Sequence, residues 1–261
     1  MGENKVIDEL GSFFGLLKAG DTAALRSMFK GEPRVDTPLW GPVPPEEFDG
    51  FVEDRRHWFV ERDATTRVVN SIVNPERIVI EFLMDLDHDG QKIELPVALS
   101  ADVNGNRATA IRVYHSTYPL SGKHAIRKPL LEPQSDLPEP EVMKQYLKGL
   151  ADADTDLVLS LFTPDGYIRE PSGDAYRHQG PEGLRGFYEP AFKDGGIPLK
   201  HCAVTFDGKT FAVEFTVDRW GQTQFDTQGG MAVYELTDDG RKIVGARIYD
   251  DVTPPDEGEP S

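Results

Sequence analysis

The sequence predicts an α+β fold built twice in tandem, and three observations predict it. The chain repeats itself at an offset of 133 to 136 residues. Within each copy, helical periodicity comes first and strand-length apolar runs follow. The strand runs are separated by Asp89-Gly90, Asn104-Gly105, Asp207-Gly208 and Asp239-Gly240, the dipeptides that favour tight hairpins.

The repeat is read without gaps at its start. Phe13 to Phe29 lies over Tyr146 to Phe162, with Asp21-Thr22 over Asp154-Thr155 and the closing phenylalanines in register. Four further matches keep the order: Val35-Asp36-Thr37-Pro38 over Ile168-Arg169-Glu170-Pro171, Pro45 to Phe51 over Pro181 to Phe187, Ile78 to Phe82 over Phe211 to Phe215, and Arg112-Val113-Tyr114 over Arg247-Ile248-Tyr249. Five matches in one order point to duplication. The expected divisions are residues 1–118, a proline-rich linker at 119–140, a second copy at 141–254 and a tail at 255–261.

Each copy has the same element order. Val6, Ile7, Leu10, Phe13, Phe14 and Leu17 form one apolar stripe, so a first amphipathic helix is expected there. Asp21 and Asp154 are suited to cap a second helix, because a side-chain oxygen satisfies free N–H groups in the first turn. A short strand ends at Pro38 or Pro171, and a third helix starts near Pro45 or Pro181, where proline fits the first turn. Three or four antiparallel strands complete each copy.

Composition narrows the partners. There are 28 basic and 45 acidic residues, a net charge of −17, which argues against nucleic acid and against an anionic membrane surface. The single cysteine, Cys202, allows neither an intramolecular disulfide nor a cysteine-based zinc site. The acid-bearing N-terminus lacks the apolar core of a signal peptide and no run reaches membrane length, so a cytoplasmic location is expected.

Tyr146 to Phe162, then Ile168-Arg-Glu-Pro-Ser-Gly173, then Gly183-Leu-Arg-Gly-Phe-Tyr188, resemble ketosteroid isomerase and the SnoaL-like polyketide cyclases of the nuclear transport factor two-like superfamily. The resemblance covers nearly all of the second copy and less of the first. It implies two cone-shaped domains, each a curved antiparallel sheet wrapped around about three helices over an apolar pocket, packed as an internal pseudo-dimer. It implies no cofactor. A cofactor-independent proton-transfer enzyme of isomerase, cyclase or epoxide-hydrolase type follows, acting on a small apolar carbonyl, polyketide-like or epoxide metabolite. The same fold also serves non-catalytic small-molecule binding modules and protein-interaction scaffolds.

The resemblance places a general-base carboxylate at Glu170, just before Pro171, and a hydrogen-bond donor at Tyr146, eight residues before Asp154. A solvated loop carboxylate and an aromatic core residue are the respective alternatives. Phe13 takes the tyrosine's place in the first copy. The isomerase's second, protonated acid falls on Ala232, with Ala98 as its counterpart; neither side chain donates, which argues against 3-keto-steroid isomerisation. Strand alternation puts Ile111, Val113 and His115 on one face, and Ala246, Ile248 and Asp250 on the matching face. His115 and Asp250 are then acid–base candidates, or a rim histidine and a loop-capping aspartate. Asp36 is a candidate partner of His115, one residue out of register with Glu170. Trp40 and His57 are candidate pocket residues of the first copy. Asp36, His57 and His115 lack the close spacing of a metal site, so no metal is expected. On the opposite face, Glu81 with Arg112 and Glu214 with Arg247 are expected as cross-strand pairs where the copies meet.

Overall fold

A computed structural model describes residues 2–251, with only the backbone described for residues 2–4. The tail expected at 255–261 lies outside the described residues. The chain forms two units, Met1–Lys123 and His124–Ser261.

The first unit opens with α1 (Gly2–Gly11) and α2 (Phe13–Ala19), two helices where one continuous stripe was expected. The break is at Ser12, whose hydroxyl turns back onto the Glu9 carbonyl at 2.7 Å. Asp21 caps α3 (Thr22–Ser27) by accepting the Ala24 N–H at 2.9 Å. The hairpin β1 (Val35–Thr37) and β2 (Gly41–Val43) leads through a 3-10 turn at Pro45–Glu47 into α4 (Phe48–Glu61). Then come β3 (Thr65–Val73), β4 (Arg77–His88), β5 (Gln91–Asn104) and β6 (Arg107–Tyr114), followed by the short α5 (Tyr118–Ser121). Asp89 and Gly90 both have positive φ, 49° and 78°, as the two-residue hairpin between β4 and β5 requires.

The second unit repeats this plan. Its elements are α6 (Glu141–Asp152), α7 (Thr155–Ser160), β7 (Phe162–Arg169), β8 (Arg177–Gln179), α8 (Gly180–Ala191), β9 (Lys200–Phe206), β10 (Thr210–Trp220), β11 (Thr223–Leu236) and β12 (Ile243–Ile248). Asp154 caps α7 through the Leu157 N–H at 2.9 Å.

Each unit has one six-stranded sheet, ordered β2-β1-β6-β5-β4-β3 and β8-β7-β12-β11-β10-β9. The sheets are mixed, a correction to the all-antiparallel expectation: β1 runs parallel to β6, and β7 parallel to β12. The early strand of each unit is separated from its partner by a helix and four strands, a connection long enough for parallel pairing. The order also separates β4 from β6 by β5, and β10 from β12 by β11, so the glutamate and arginine expected as cross-strand neighbours are not on adjacent strands. Arg112 reaches Asp102 on β5 at 2.6 Å, and Arg247 donates to the Tyr167 hydroxyl at 3.1 Å.

The apolar face of each sheet packs on its unit's helices to form the core. The segment 124–140, expected as a linker, is bonded to the second unit: Arg127 O accepts the Gly229 N–H at 2.7 Å, and His201 meets Glu139 at 2.6 Å.

Candidate functional site

The second unit encloses a cavity of about 260 Å³ between its sheet and helices α6 and α8. Ladder register explains the space. Gly230 pairs with Phe215, Ala232 lies between Val213 and Ile248, and Ala246 lies between Tyr234 and Ile168. Side chains opposite one another in a ladder share a face, so three of the smallest residues form the floor. Aromatic and aliphatic side chains, among them Phe187, Phe215 and Trp220, supply walls.

Asp250 lies at the end of this floor, two residues beyond β12, and lines the cavity. The Tyr249 N–H still donates to the Met231 carbonyl at 3.0 Å. The Asp250 carboxylate then accepts the Met231 N–H, so a side chain completes the ladder where the strand ends. Its other oxygen, Oδ2, is buried and has no hydrogen-bond partner. Gly230 makes the placement possible: a Cβ there would collide with Asp250 Oδ2 and the Phe215 ring. Asp250 is 4% exposed, and burial pushes its carboxyl up to about 8, with the Met231 N–H opposing, the neighbouring Asp251 charge adding and Arg127 opposing.

Three tyrosines from three elements meet across the cavity. Tyr146 on α6 shares a hydrogen bond with Tyr188 on α8, their hydroxyls 2.8 Å apart, and its ring packs edge-on against that of Tyr234 on β11, centroids 5.3 Å apart. Burial holds all three phenols above their ordinary range, so they stay protonated at neutral pH. Three hydroxyls carry three protons, and the Tyr146–Tyr188 bond uses one of them, so phenol O–H groups are left over for an acceptor. The array is therefore suited to stabilise one oxygen on which negative charge develops.

Glu170 follows β7 directly and lines the same cavity. It is bonded to His178 of β8, Oε1 to Nε2 at 2.7 Å, and both side chains are about one-third exposed. The Phe187 ring lies 5.1 Å from the His178 ring. This pair borders solvent, whereas Asp250 is enclosed.

Residues 143–245 match the model of the SnoaL-like domain. The second unit carries a SnoaL-like domain. A search of curated proteins finds no match to the chain. Among solved structures, similar ones include a putative polyketide cyclase from Sinorhizobium meliloti, 21% identical, covering 42% of this chain and 94% of that one with a TM-score of 0.36. Another is the epoxide hydrolase/cyclase-like enzyme SalBIII of pyran ring formation in polyether salinomycin, 19% identical over 42% of this chain and 87% of that one, TM-score 0.35. An NTF2-like protein of unknown function from Cytophaga hutchinsonii is 12% identical over 44% and 92%, TM-score 0.33.

The SnoaL-like unit brings together Tyr146, Glu170, Ile248 and Asp250 around its cavity. The first unit does not assemble an equivalent. Its cavity is about 40 Å³. Ladder register equates Val97 with Gly230 and Leu99 with Ala232, so larger side chains occupy the floor. The counterpart of Ala232 is therefore Leu99; Ala98 pairs with Glu81 on the opposite face. All three tyrosine positions are lost, to Phe13, Val52 and Ala101. His115 and Val113 line the small cavity, and Ile111 is buried in the core. His115 Nδ1 lies 2.9 Å from the Ser116 carbonyl. Asp36 is not among the cavity residues; its backbone pairs with Pro42 and Arg112. His57 is 62% exposed on α4 and faces Glu53 at 3.1 Å, away from the cavity. Trp40 is also outside it, with Arg55 stacked over its ring.

Sequence reasoning missed Tyr188, Tyr234 and His178. Tyr234 was within reach, because it stands two residues from Ala232 and so shares its face.

Proposed function

We propose that the second unit is a cofactor-independent proton-transfer enzyme acting on a small, largely apolar carbonyl compound. The observation that carries this reading is Asp250: an enclosed carboxyl with one unpartnered oxygen, lining an apolar cavity that also holds a tyrosine donor array. Asp250 takes the proton from the carbon next to the carbonyl. A base poised near neutral pH combines adequate basicity with an adequate ionised fraction. A leftover phenol proton bonds to the carbonyl oxygen as it gains enolate charge. Glu170 with His178 stands where substrate enters. Isomerisation and cyclisation by carbon–carbon bond formation both begin from such a step, and the first unit's cavity, about 40 Å³, is far smaller.

The test needs no native substrate. 2-Tetralone has acidic protons next to its carbonyl and a size suited to the cavity. Its exchange of those protons in D2O, followed by proton NMR, reports carbon-acid chemistry directly. Catalysed exchange that disappears in Asp250→Asn supports the proposal. Binding of the ketone with exchange at the buffer rate makes the unit a carrier instead.

A further inference from the structure

The segment 124–129, ahead of α6, belongs to the site as well. It packs so closely on β11 that a Cβ at Gly229 would meet Lys128 O at 3.1 Å and Pro129 Cα at 3.2 Å. Its start is held by both oxygens of Asp251: His124 Nδ1 lies 2.9 Å from Oδ1, and the Ala125 N–H donates to Oδ2 at 3.2 Å. His124 and Asp251 line the same cavity as Asp250. The Asp251 side chain is 1% exposed and the His124 ring 40%, so the carboxylate is internal and the imidazole spans cavity and solvent.

We propose that His124 is a second catalytic acid–base group of this cavity, oriented by Asp251 and contributed by the chain ahead of the domain. The inference rests on the proton-transfer reading above. Asp251 accepts from the Ala125 N–H, and by the same acceptor character assigns the proton on the imidazole to Nδ1; Nε2 is then the nitrogen that gains and loses the catalytic proton. The steps balance with one proton. Asp250, ionised, takes a proton from the carbon next to the carbonyl and leaves an enolate. His124, protonated, gives its Nε2 proton to a different carbon of the conjugated enolate. Asp250's proton then passes to His124, restoring both groups.

The test uses the whole chain, labelled with carbon-13 at histidine. The six histidines give six imidazole signals, and His124→Gln identifies one. The probe is 2-naphthol, whose ionised oxygen imitates an enolate. The expected result is that 2-naphthol moves the His124 signal. In His124→Gln, 2-tetralone exchange should fall by about 10²-fold, at the low end of general acid–base contributions, while the naphthol dissociation constant changes less than about twofold. In Asp251→Asn, binding persists and exchange falls in the turnover rate rather than in KM. A His124 signal unmoved at saturating naphthol overturns the inference. So does wild-type exchange preserved in His124→Gln, which leaves the Asp250 reading intact. Movement of the His124 signal without any wild-type exchange removes the reaction itself, and with it the catalytic role of His124.

Discussion

Replacing Asp250 by asparagine should stabilise the second unit while abolishing its chemistry. The carboxyl is raised from 3.8 to about 8 by burial, so between those values the folded state holds a proton that the unfolded chain has released. Stability then falls as pH rises through this window, because the unfolded state binds fewer protons than the folded one. The penalty is absent below pH 4 and complete above pH 8. The interval from 3.8 to about 8 corresponds to roughly 6 kcal/mol. Asparagine keeps an oxygen for the Met231 N–H and places an uncharged amide where Oδ2 stands. Calorimetric unfolding at pH 5 and pH 8 reads the effect. At this chain length 1 kcal/mol is about 2–4 °C, so the second unit's transition should rise by about 10–20 °C at pH 8 and by less than half of that at pH 5. Other titrating groups are shared by both proteins and cancel in the comparison. A destabilised variant, or a difference equal at the two pH values, would refute the reasoning, since it would mean an ionised and well-paired carboxylate.

Further outcomes follow from the same geometry. In His124→Gln, where Asp250 acts without the second group, the residual exchange rate of 2-tetralone should climb with pH toward a plateau, with a midpoint near 8, because Asp250 must lose its proton before it can accept one; a rate–pH series from 5 to 9.5 reads this. Tyr146→Phe removes one hydroxyl of the bonded Tyr146–Tyr188 pair and should lower exchange by roughly 10²-fold, comparable to loss of one oxyanion donor. Gly230→Ala forces a methyl against Asp250 and Phe215 and should cost about 1–3 kcal/mol in denaturant unfolding, with loss of exchange. Equilibrium dialysis with 2-naphthol should find one site per chain, because the first unit's cavity is about 40 Å³.

Periodicity carried much of this account. Strand alternation around Ile248 put Asp250 on the face that lines the cavity, and the family resemblance pointed to Tyr146, which lines it too. The capping aspartates were legible because their role is local. What failed was register between copies. A one-residue slip exchanged Ala98 for Leu99, and the slip reversed the face. The volume difference between the cavities was hidden by that slip, since the Leu99–Ala232 and Val97–Gly230 comparisons reveal it only in the correct register. Parallel pairing of β1 and β7 was also illegible, because three-residue stretches such as Val35–Thr37 carry no orientation signal. His124 lies in a proline-rich segment without a repeat, so no phase indicated which of its side chains would face inward.

The central claim is that Asp250 keeps its proton in the folded protein until pH nears 8 and exchanges it within the cavity. Carbon-13 NMR of the aspartate side-chain carboxyls, with Asp250→Asn for assignment, measures this directly. A signal that titrates near 8 and shifts when 2-naphthol binds is the predicted result. A signal that titrates in the ordinary carboxylate range near 4 and ignores the ligand would contradict the account.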